Sequence, residues 1–187
     1  MMKQRPARGL TLIELLTVVA VLGIVLAIAA PSFADLMNRR RVQLVATELS
    51  TDLAYARSEA GLRNRRVNLQ FQTAGAGMSC YTVLVFDSGL FPCDCTRTPG
   101  SACQGGRYEL RTVQIPSVKG VSLIPSQELV ATSSALEFQV PLLTAWPPTS
   151  SVRVRGSRGF ELEVQINPVG RVRVCSPDGS FSGVAQC

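Results

Sequence analysis

Residues 10–30 form the longest apolar stretch of the chain, and Glu14 is the only charged residue within it. At about 1.5 Å rise per residue, a helix of this length spans roughly 30 Å, which is the thickness of a bilayer hydrocarbon core. The pattern therefore predicts a transmembrane helix over residues 10–31, ending at Pro31.

A helical period continues beyond Pro31. Apolar residues recur every three or four positions, the spacing of one stripe on an amphipathic helix. Gly61 and the cluster 64–66 carry helix-ending signals, so we predict that the helix continues over residues 32–66 and packs this stripe on a globular domain. The stripe consists of Val42, Val45, Leu49, Leu53, Ala56 and Ala60.

Residues 67–187 have the pattern of a β-rich head. Val67, Leu69 and Phe71 alternate with polar residues, as in a half-buried strand. Further short apolar segments are separated by Pro, Gly and Ser turns. One long helix followed by short strands implies an α+β fold with an antiparallel sheet packed on the helix. The other candidate strands are 81–87, 108–115, 121–124, 136–140, 152–155, 160–166 and 171–174, and Ser88–Gly106 is expected to be a surface loop.

The charges around the apolar stretch predict its orientation. Lys3, Arg5 and Arg8 precede it without any acidic residue. By the positive-inside rule, the N-terminus then stays in the cytoplasm and the head is exported. The alternative is a cleaved secretory signal, because residues 27–29 have the small-x-small form of a cleavage site. The apolar stretch is longer than the roughly 7–15 residues of a signal core, so we favour a membrane anchor.

The composition argues against catalysis. The chain has no histidine, which removes the commonest general base, histidine-containing zinc sites and the Ser-His-Asp and Cys-His catalytic arrangements. We therefore predict that the protein is not an enzyme, with no catalytic residues, no metal and no cofactor.

The chain has six cysteines, and in an exported head disulfides are expected. Six cysteines allow 15 pairings, so sequence alone does not choose among them. Cys93 and Cys95 are too close to pair comfortably with each other, and each is expected to bond Cys80 or Cys103. A zinc site built from these four is disfavoured, since no Cys-x-x-Cys pair is present and the compartment is oxidising.

Glu14 is a carboxylate inside a hydrocarbon span, where it normally marks a function or a partner. No basic residue lies within one helical turn on its own segment, so its partner is expected on another molecule. The segment Arg8–Leu16 closely resembles the class III signal of type IV pilins and type II secretion pseudopilins. The resemblance implies that prepilin peptidase cuts between Gly9 and Leu10, leaving residues 1–9 as a leader. It also implies that Leu10 is N-methylated and that Glu14 meets a neighbouring subunit's terminal amine during assembly with other pilins.

The segment Leu53–Ala60 resembles the end of the long helix in the GspH/FimT group of minor pilins and pseudopilins. That group implies an inner-membrane protein with a periplasmic head, assembled into a pilus or a pseudopilus. Many pilins also close the C-terminal end with a disulfide ring, which implies a Cys175–Cys187 bond here. Arg57 and Glu59 lie in the same segment, but side chains two residues apart on a helix point in different directions, so they are not read as a catalytic pair.

Two segments near the C-terminus alternate valine with arginine, so each places two arginines on one strand face. Residues 167–170 suit a three-residue hairpin loop with a left-handed glycine, which sets Gln165 opposite Arg173 and Glu163 one diagonal step away. The arginines could simply pair with Glu161 and Glu163, although such exposed pairs are worth only about 0–1 kcal/mol each. The four are Arg153, Arg155, Arg171 and Arg173.

The alternative interpretation is that these arginines form a ridge that contacts phosphates. Same-face residues on a strand lie about 6.6 Å apart, roughly two phosphate steps along a nucleic-acid strand. The segment Gly170–Arg173 also resembles the Gly-Arg-x-Arg motif of FimT-type minor pilins, which are implicated in DNA uptake during natural transformation. We therefore expect sequence-independent DNA binding by Arg171, Arg173 and Gly170, with weaker additions from Arg153 and Arg155. The competing reading is a pseudopilin of the type II secretion system that exports folded proteins and binds no DNA.

The formal charge of +6 gives this reading little support. The three leader cations leave with the leader, so residues 10–187 carry 16 basic and 13 acidic residues. Arg39, Arg40 and Arg41 follow the span; they could contact lipid headgroups, bind an acidic neighbour or be solvated, and solvation is the default expectation.

Overall fold

The computed structural model describes residues 11–74, 77–86, 93–104, 108–133 and 135–187. It divides the chain into two units, residues 1–37 and 38–187. Helix α1, Leu12–Arg63, begins in the first unit, continues through Pro31 and ends in the second. Its N-terminal part is long and apolar enough to cross a membrane, with a mean hydropathy of 2.8 and 0% of that window buried.

The second unit, which we call the head, contains two antiparallel sheets. The five-stranded sheet has the order β3-β2-β1-β5-β6, and the four-stranded sheet has the order β4-β7-β8-β9. A short helix α2, Gln127–Ala131, lies between β4 and β5. The strands are β1 (Val67–Ala74), β2 (Met78–Val85), β3 (Tyr108–Pro116), β4 (Val121–Pro125), β5 (Ala135–Gln139), β6 (Thr144–Trp146), β7 (Ser150–Gly156), β8 (Glu161–Ile166) and β9 (Val172–Cys175).

The predicted α+β fold, a long helix packed on antiparallel sheet, is confirmed. Six residues on the C-terminal part of α1 are fully buried against apolar residues of both sheets. Their spacing follows the helical period of the predicted stripe. The one difference is that Ala46 is fully buried, whereas the predicted Val45 is only partly buried. The six are Val42, Ala46, Leu49, Leu53, Ala56 and Ala60.

Three features of the strands go beyond the sequence prediction or differ from it. The strands form two sheets, a division that strand periodicity does not specify because pairing is non-local. The three-residue strand β6 was missed because it lies in the Pro-rich segment 141–148, where proline argues against a strand. The strand predicted at 81–87 starts earlier, at Met78, and ends at Val85, while Asp87 lies outside the described residues.

The loop that contains Cys93, Cys95 and Cys103, which we call the disulfide loop, has buried residues that anchor it to the head. Within its described part, residues 93–104, Cys93, Cys95 and Ala102 are each 1% exposed. Disulfides join Cys95 to Cys80 and Cys93 to Cys103. The described part is a surface loop as expected, with residues 96–101 exposed, and the two disulfides fix its buried residues onto the head.

Glutamine side chains of the five-stranded sheet hold this loop by its backbone. Gln72 donates to the Cys93 carbonyl at 2.8 Å and accepts from the Cys95 N–H at 3.0 Å. Gln70 accepts from the Cys93 N–H at 3.0 Å, and Gln114 donates to the Cys95 carbonyl at 2.8 Å. The polar positions of β1 therefore satisfy buried backbone groups instead of facing water.

Glu109 on β3 closes the far end of the loop. Its carboxylate accepts hydrogen bonds from the N–H groups of Gly100 and Ala102, at 2.7 and 2.8 Å, and from the Thr112 hydroxyl at 2.6 Å. Burial by itself raises the pKa of this carboxyl, but these hydrogen bonds together lower the pKa below its ordinary value.

A buried carboxylate on α1 ties the helix to the five-stranded sheet. The Asp52 side chain is 2% exposed and lies 3.1 Å from Nε of Arg111. It also accepts a 2.8 Å hydrogen bond from the Tyr81 hydroxyl. Arg111 reaches Glu48, one turn earlier on α1, at 2.8 Å. Burial raises the pKa of Asp52, against the lowering effects of Tyr81 and Arg111, and the same burial raises the pKa of Tyr81.

Candidate nucleic-acid interface

The β8–β9 turn carries the arginines that the sequence predicts as DNA contacts. The Asn167 N–H donates to the Arg171 carbonyl at 3.1 Å, and the Gly170 N–H donates to the Asn167 carbonyl at 2.8 Å. The Asn167 side chain accepts from the Arg171 N–H at 2.8 Å. Gly170 has a φ of +71°, so the loop is the predicted hairpin with a left-handed glycine.

Gly170 is also the point where the turn touches α1. A Cβ at this position would lie 2.8 Å from Nε of Arg57 and 2.8 Å from the Leu143 carbonyl oxygen. A larger residue would therefore be strained both by the positive φ and by the contact. The glycine lets the turn and the helix approach closely, which brings Arg57 beside Arg171.

Arg171 and Arg173 lie on the exposed positions of β9 and its turn. In the described part of the chain, no side-chain ion pair or hydrogen bond engages the Arg171 guanidinium. Arg173 stands opposite Gln165, as predicted, and donates to the Gln186 carbonyl at 3.0 Å. Arg171 is therefore the more available cation, and Arg173 has donors left beyond this one bond.

Arg153 and Arg155 have carboxylate partners across the β7–β8 pair. The register sets Arg153 opposite Glu163 and Arg155 opposite Glu161. Arg153 lies 3.9 Å from its partner, and Arg155 pairs closely with Glu161. The sequence did not decide which arginines pair with Glu161 and Glu163. In the structure Arg153 and Arg155 do so, and the two arginines of the turn do not.

The Cys175–Cys187 disulfide closes a C-terminal ring of residues beside Arg173. Cys175 at the end of β9 is bonded to Cys187, the pairing that the pilin resemblance implies. The Ser176 N–H donates to the Ala185 carbonyl at 2.9 Å, and the Cys187 N–H donates to the Ser176 carbonyl at 3.2 Å. These bonds place the carbonyl of Gln186 where Arg173 can reach it.

Two open grooves flank the turn. The larger, about 710 Å³, is lined by Arg171 and Arg173, by neutral polar and apolar residues, and by the carboxylates of Glu128 and Glu163. The second, about 560 Å³, runs between α1 and β9 and is lined by Arg57 and Arg171 with small and apolar residues. The two grooves share Arg171, so this side chain can reach a ligand in either.

Arg57 is the residue that sequence reasoning missed as a neighbour of the arginine turn. Its Nε donates weakly to the Leu143 carbonyl at 3.5 Å, while Glu59 pairs with Arg63 at 2.6 Å. Arg57 and Glu59 therefore do not pair with each other. Only tertiary packing brings position 57 to the turn, so no local signal could have identified it.

Glu14 has a local hydrogen-bonding role at the start of α1. The Glu14 N–H donates to the Thr11 hydroxyl at 3.3 Å, and the Glu14 carboxylate accepts from the Thr11 N–H at 3.5 Å. This reciprocal pair is a capping box, which satisfies N–H groups that have no helical partner. The carboxylate bond is long and leaves most of the acceptor capacity of Glu14 unused. The processing residues Gly9 and Leu10 lie outside the described residues.

A helix with an apolar N-terminal part and a second part packed on an antiparallel β head defines a pilin-like protein. Residues 4–30 match the prokaryotic N-terminal methylation motif. Residues 45–185 match the family of the type II transport protein GspH. Because this match covers most of the chain, the chain belongs to the GspH family, the group of minor type IV pilins and pseudopilins that the sequence resembles.

Parts of the chain are also similar to individual known proteins. The chain is 46% identical over 70 residues to the pilin-like protein PilA1 of Thermus thermophilus, a match that covers 37% of this chain and 44% of that protein. The fold is similar to that of the type IV minor pilin FimU of Pseudomonas aeruginosa, with a TM-score of 0.52 at 18% identity, covering 77% of this chain and 95% of that one. A second crystal form of FimU gives a TM-score of 0.50 at 18% identity, with 75% and 97% covered. The family implies processing by prepilin peptidase and assembly with other pilins.

Proposed function

We propose that this chain is a minor pilin that takes part in assembling or priming a type IV pilus, and that its β8–β9 turn binds DNA without sequence preference. The observation that carries DNA binding is the exposed Arg171, which has no carboxylate partner among the described residues. Arg173 and Arg57 lie on either side of it. Captured DNA would be a substrate for uptake in natural transformation.

The arginines of the sheet rank by how far their charge is neutralised. Arg171 and Arg173 contact no carboxylate within the described residues, whereas Arg153 and Arg155 each face one. A phosphate must displace the carboxylate before it can use the second pair, so these two contribute less. Glu163 lines the larger groove and repels a phosphate there, which favours an approach over the tip of the turn.

Duplex DNA titration of the full chain in neutral detergent tests the proposal. The double variant Arg171→Gln, Arg173→Gln should weaken binding of unrelated sequences equally, because phosphate contacts carry no base information. The slope of log affinity against log salt, about −0.9 per neutralised phosphate, should become shallower by up to about two units. The matched control Arg153→Gln, Arg155→Gln removes the same charge and should change both quantities much less. No binding by the wild type at low salt would exclude DNA as a partner.

The proposal includes the processing and membrane topology that the family pattern suggests. Residues 1–9 form the leader, cut between Gly9 and an N-methylated Leu10. Residues 10–31 span the inner membrane with a cytoplasmic N-terminus, residues 32–66 continue the helix, and residues 67–187 complete a periplasmic head. Glu14 meets the amine of a neighbouring subunit in the filament. Intact mass of the membrane-extracted protein tests the cut, and a mature chain that begins at Ala30 would refute it.

The second candidate is a minor pseudopilin of a type II secretion pseudopilus. It is favoured by one observation, the match of residues 45–185 to a family described as a type II transport protein. Deleting the gene separates the two: loss of pili and of DNA uptake supports the minor pilin, whereas loss of exoprotein secretion with normal pili supports the pseudopilin.

A further inference from the structure

Two turns of the head meet α1 where the chain arrives from the apolar span. Asn38 is buried, and its Nδ2 donates to the Gly120 carbonyl at 3.1 Å and lies 3.3 Å from the Ser157 hydroxyl. Gly156 packs against the same side chain so closely that a Cβ would lie 2.3 Å from the Asn38 oxygen. The turns 117–120 and 156–159 are therefore fixed beside the first turn of α1 in the head.

Three cations and one apolar side chain are exposed at this end, and we call them the basic rim: Arg40, Arg41, Val118 and Lys119. Arg41 donates to the Lys119 carbonyl at 3.2 Å, which links the helix to the turn and leaves the rest of its guanidinium in solvent. Val118 is 88% exposed. An exposed apolar side chain together with exposed cations is the composition typical of a membrane-surface contact.

Arg39 is not part of the rim, because it has a structural role. Its guanidinium lies 4.7 Å from the ring centroid of Phe160 and 5.5 Å from that of Phe181. These contacts attach the β7–β8 loop and the C-terminal loop to α1. The default expectation of a solvated arginine was wrong for Arg39, and Arg41 is partly engaged as well.

The net charge of the mature chain is concentrated at this end of the head. Residues 10–187 carry 16 basic and 13 acidic residues, an excess of three. The segments 35–41, 117–120 and 156–159 contain five of these cations and one acid, Asp35, an excess of four. The other residues of 10–187 carry eleven basic and twelve acidic residues. The five cations are Arg39, Arg40, Arg41, Lys119 and Arg158.

The covalent chain keeps the rim near the bilayer that holds the span. Between Ala30 and Asn38 the chain advances eight positions, which fully extended reach at most about 29 Å. A tether of this length turns surface binding into an intramolecular event at high effective concentration. Contacts that are individually weak can therefore hold the head on the membrane.

We propose that the basic rim docks the head on anionic phospholipid headgroups of the membrane that anchors α1, with Val118 entering the interface. The inference rests on the proposed membrane span and is independent of DNA binding. Each Lys or Arg near an anionic surface strengthens association by about fivefold. Loss of three such charges should therefore weaken docking on the order of 100-fold. Docking would hold the unassembled subunit against the bilayer until it enters a filament.

The test places a tryptophan on the rim of the full chain in lipid nanodiscs. Trp146 is the only tryptophan, so Val118→Trp with Trp146→Phe gives a single indole at the rim, and the native chain gives a control indole on β6. Position 146 adjoins Ala145, whose N–H donates to the Pro168 carbonyl in the turn beside Arg57. Residues 38 and 57 are separated by roughly 28 Å of helix, so the control indole is far from the rim.

Brominated lipids in the discs should quench the rim indole when phosphatidylglycerol is present, and much less in phosphatidylcholine alone. Raising salt to 1 M should abolish the difference, because it shortens the Debye length to about 3 Å. The control indole should be quenched little in either lipid. Incorporation of the chain into discs reports separately on the span, so failure of the span and failure of docking are distinguishable.

Charge variants decide whether the rim is responsible. Arg40→Gln, Arg41→Gln and Lys119→Gln together should remove the lipid-dependent quenching, and Arg40→Gln alone should reduce it without touching the hydrogen bond between the other two. Equal quenching in both lipids, or none in either, would overturn the proposal. Loss of duplex DNA binding by the triple variant without any lipid effect would assign the rim to DNA instead.

A matched control removes three cations from other surfaces, by Arg63→Gln, Arg66→Gln and Arg97→Gln, and should leave the quenching unchanged. If this control loses quenching as fully as the rim variant, net charge rather than the rim governs docking and the proposal fails.

Discussion

Replacing Arg111 with glutamine removes the cation that faces a buried carboxylate. Arg111 bridges Asp52 and Glu48, and therefore links β3 to α1 at two points. The variant keeps a polar side chain but leaves Asp52 with only the hydrogen bond from the Tyr81 hydroxyl among the contacts described above. We expect this single change to destabilise the head more than the loss of any exposed arginine pair.

The magnitude follows from the exposure of the two partners. Removing one partner of a fully buried ion pair costs about 3–5 kcal/mol, whereas an exposed pair is worth about 0–1 kcal/mol. The Asp52 side chain is 2% exposed but that of Arg111 is 47% exposed, so water already screens part of the attraction. An intermediate loss of about 2 kcal/mol in the free energy of unfolding is expected at neutral pH.

The loss should depend on pH in a defined direction. Burial raises the pKa of Asp52 above its ordinary value of 3.8, while Tyr81 and Arg111 oppose the rise. Between the ordinary and the folded pKa, the folded state binds more protons than the unfolded state, so stability falls as pH rises. Without Arg111 the folded pKa moves further up. The effect of Arg111→Gln is therefore largest at neutral pH and fades as the pH falls below the raised folded-state pKa of Asp52, where the carboxyl is protonated in the folded state of both proteins.

Urea unfolding measures this difference. The protein used is residues 32–187, which contain the head with its disulfides intact, and unfolding is followed by far-UV circular dichroism at pH 4 and pH 7.5. The control is Arg97→Gln, which breaks an exposed 3.5 Å pair with Asp94 and should destabilise the head far less, because water screens this pair. In an Asp52→Asn background, Arg111→Gln should lose most of its effect. An equal loss at both pH values, or one no larger than that of the control, would refute the reasoning.

Three other changes have definite expected outcomes. Gly170→Ala should lower the free energy of unfolding by about 2 kcal/mol or more, because a left-handed φ costs about 1–2 kcal/mol and the new Cβ would press on α1; urea unfolding measures it. Glu109→Gln should cost about 1–2 kcal/mol and speed amide exchange at Ala102. Since the pKa of Glu109 is lowered, its contribution is present above the ordinary value of 4.5 and lost as pH falls below it. Glu14→Val should leave membrane insertion intact but keep the chain out of filaments, as fractionation of sheared pili from membranes would show.

Some features of the candidate DNA-binding turn could be predicted from the sequence, and others could not. Residues 167–170 encode their turn locally, since Asn caps it and Gly takes the positive φ. That turn fixes the register between β8 and β9, so the position of Gln165 opposite Arg173 followed from residues close in sequence. The sequence could not say which arginines have carboxylate partners, because side-chain placement across β7 and β8 depends on the folded sheet.

The sequence by itself determined the long helix, its apolar and amphipathic parts, the β-rich head and the pilin family. Each of these depends on period, length or a contiguous motif, which are properties of neighbouring residues. The helix stripe from Val42 to Ala60 is an example, because residues three and four apart share a face whatever the helix packs against.

Only the tertiary structure decided the division into two sheets, the pairing of the four loop cysteines, and the surroundings of Arg39 and Arg57. The disulfides Cys80–Cys95 and Cys93–Cys103 lie over a sheet whose glutamines hold the loop. Arg39 stacks on rings more than a hundred residues away in the chain. Such contacts join segments that are far apart in the sequence and become neighbours only in the folded chain. No local sequence pattern specifies which distant segments will be in contact.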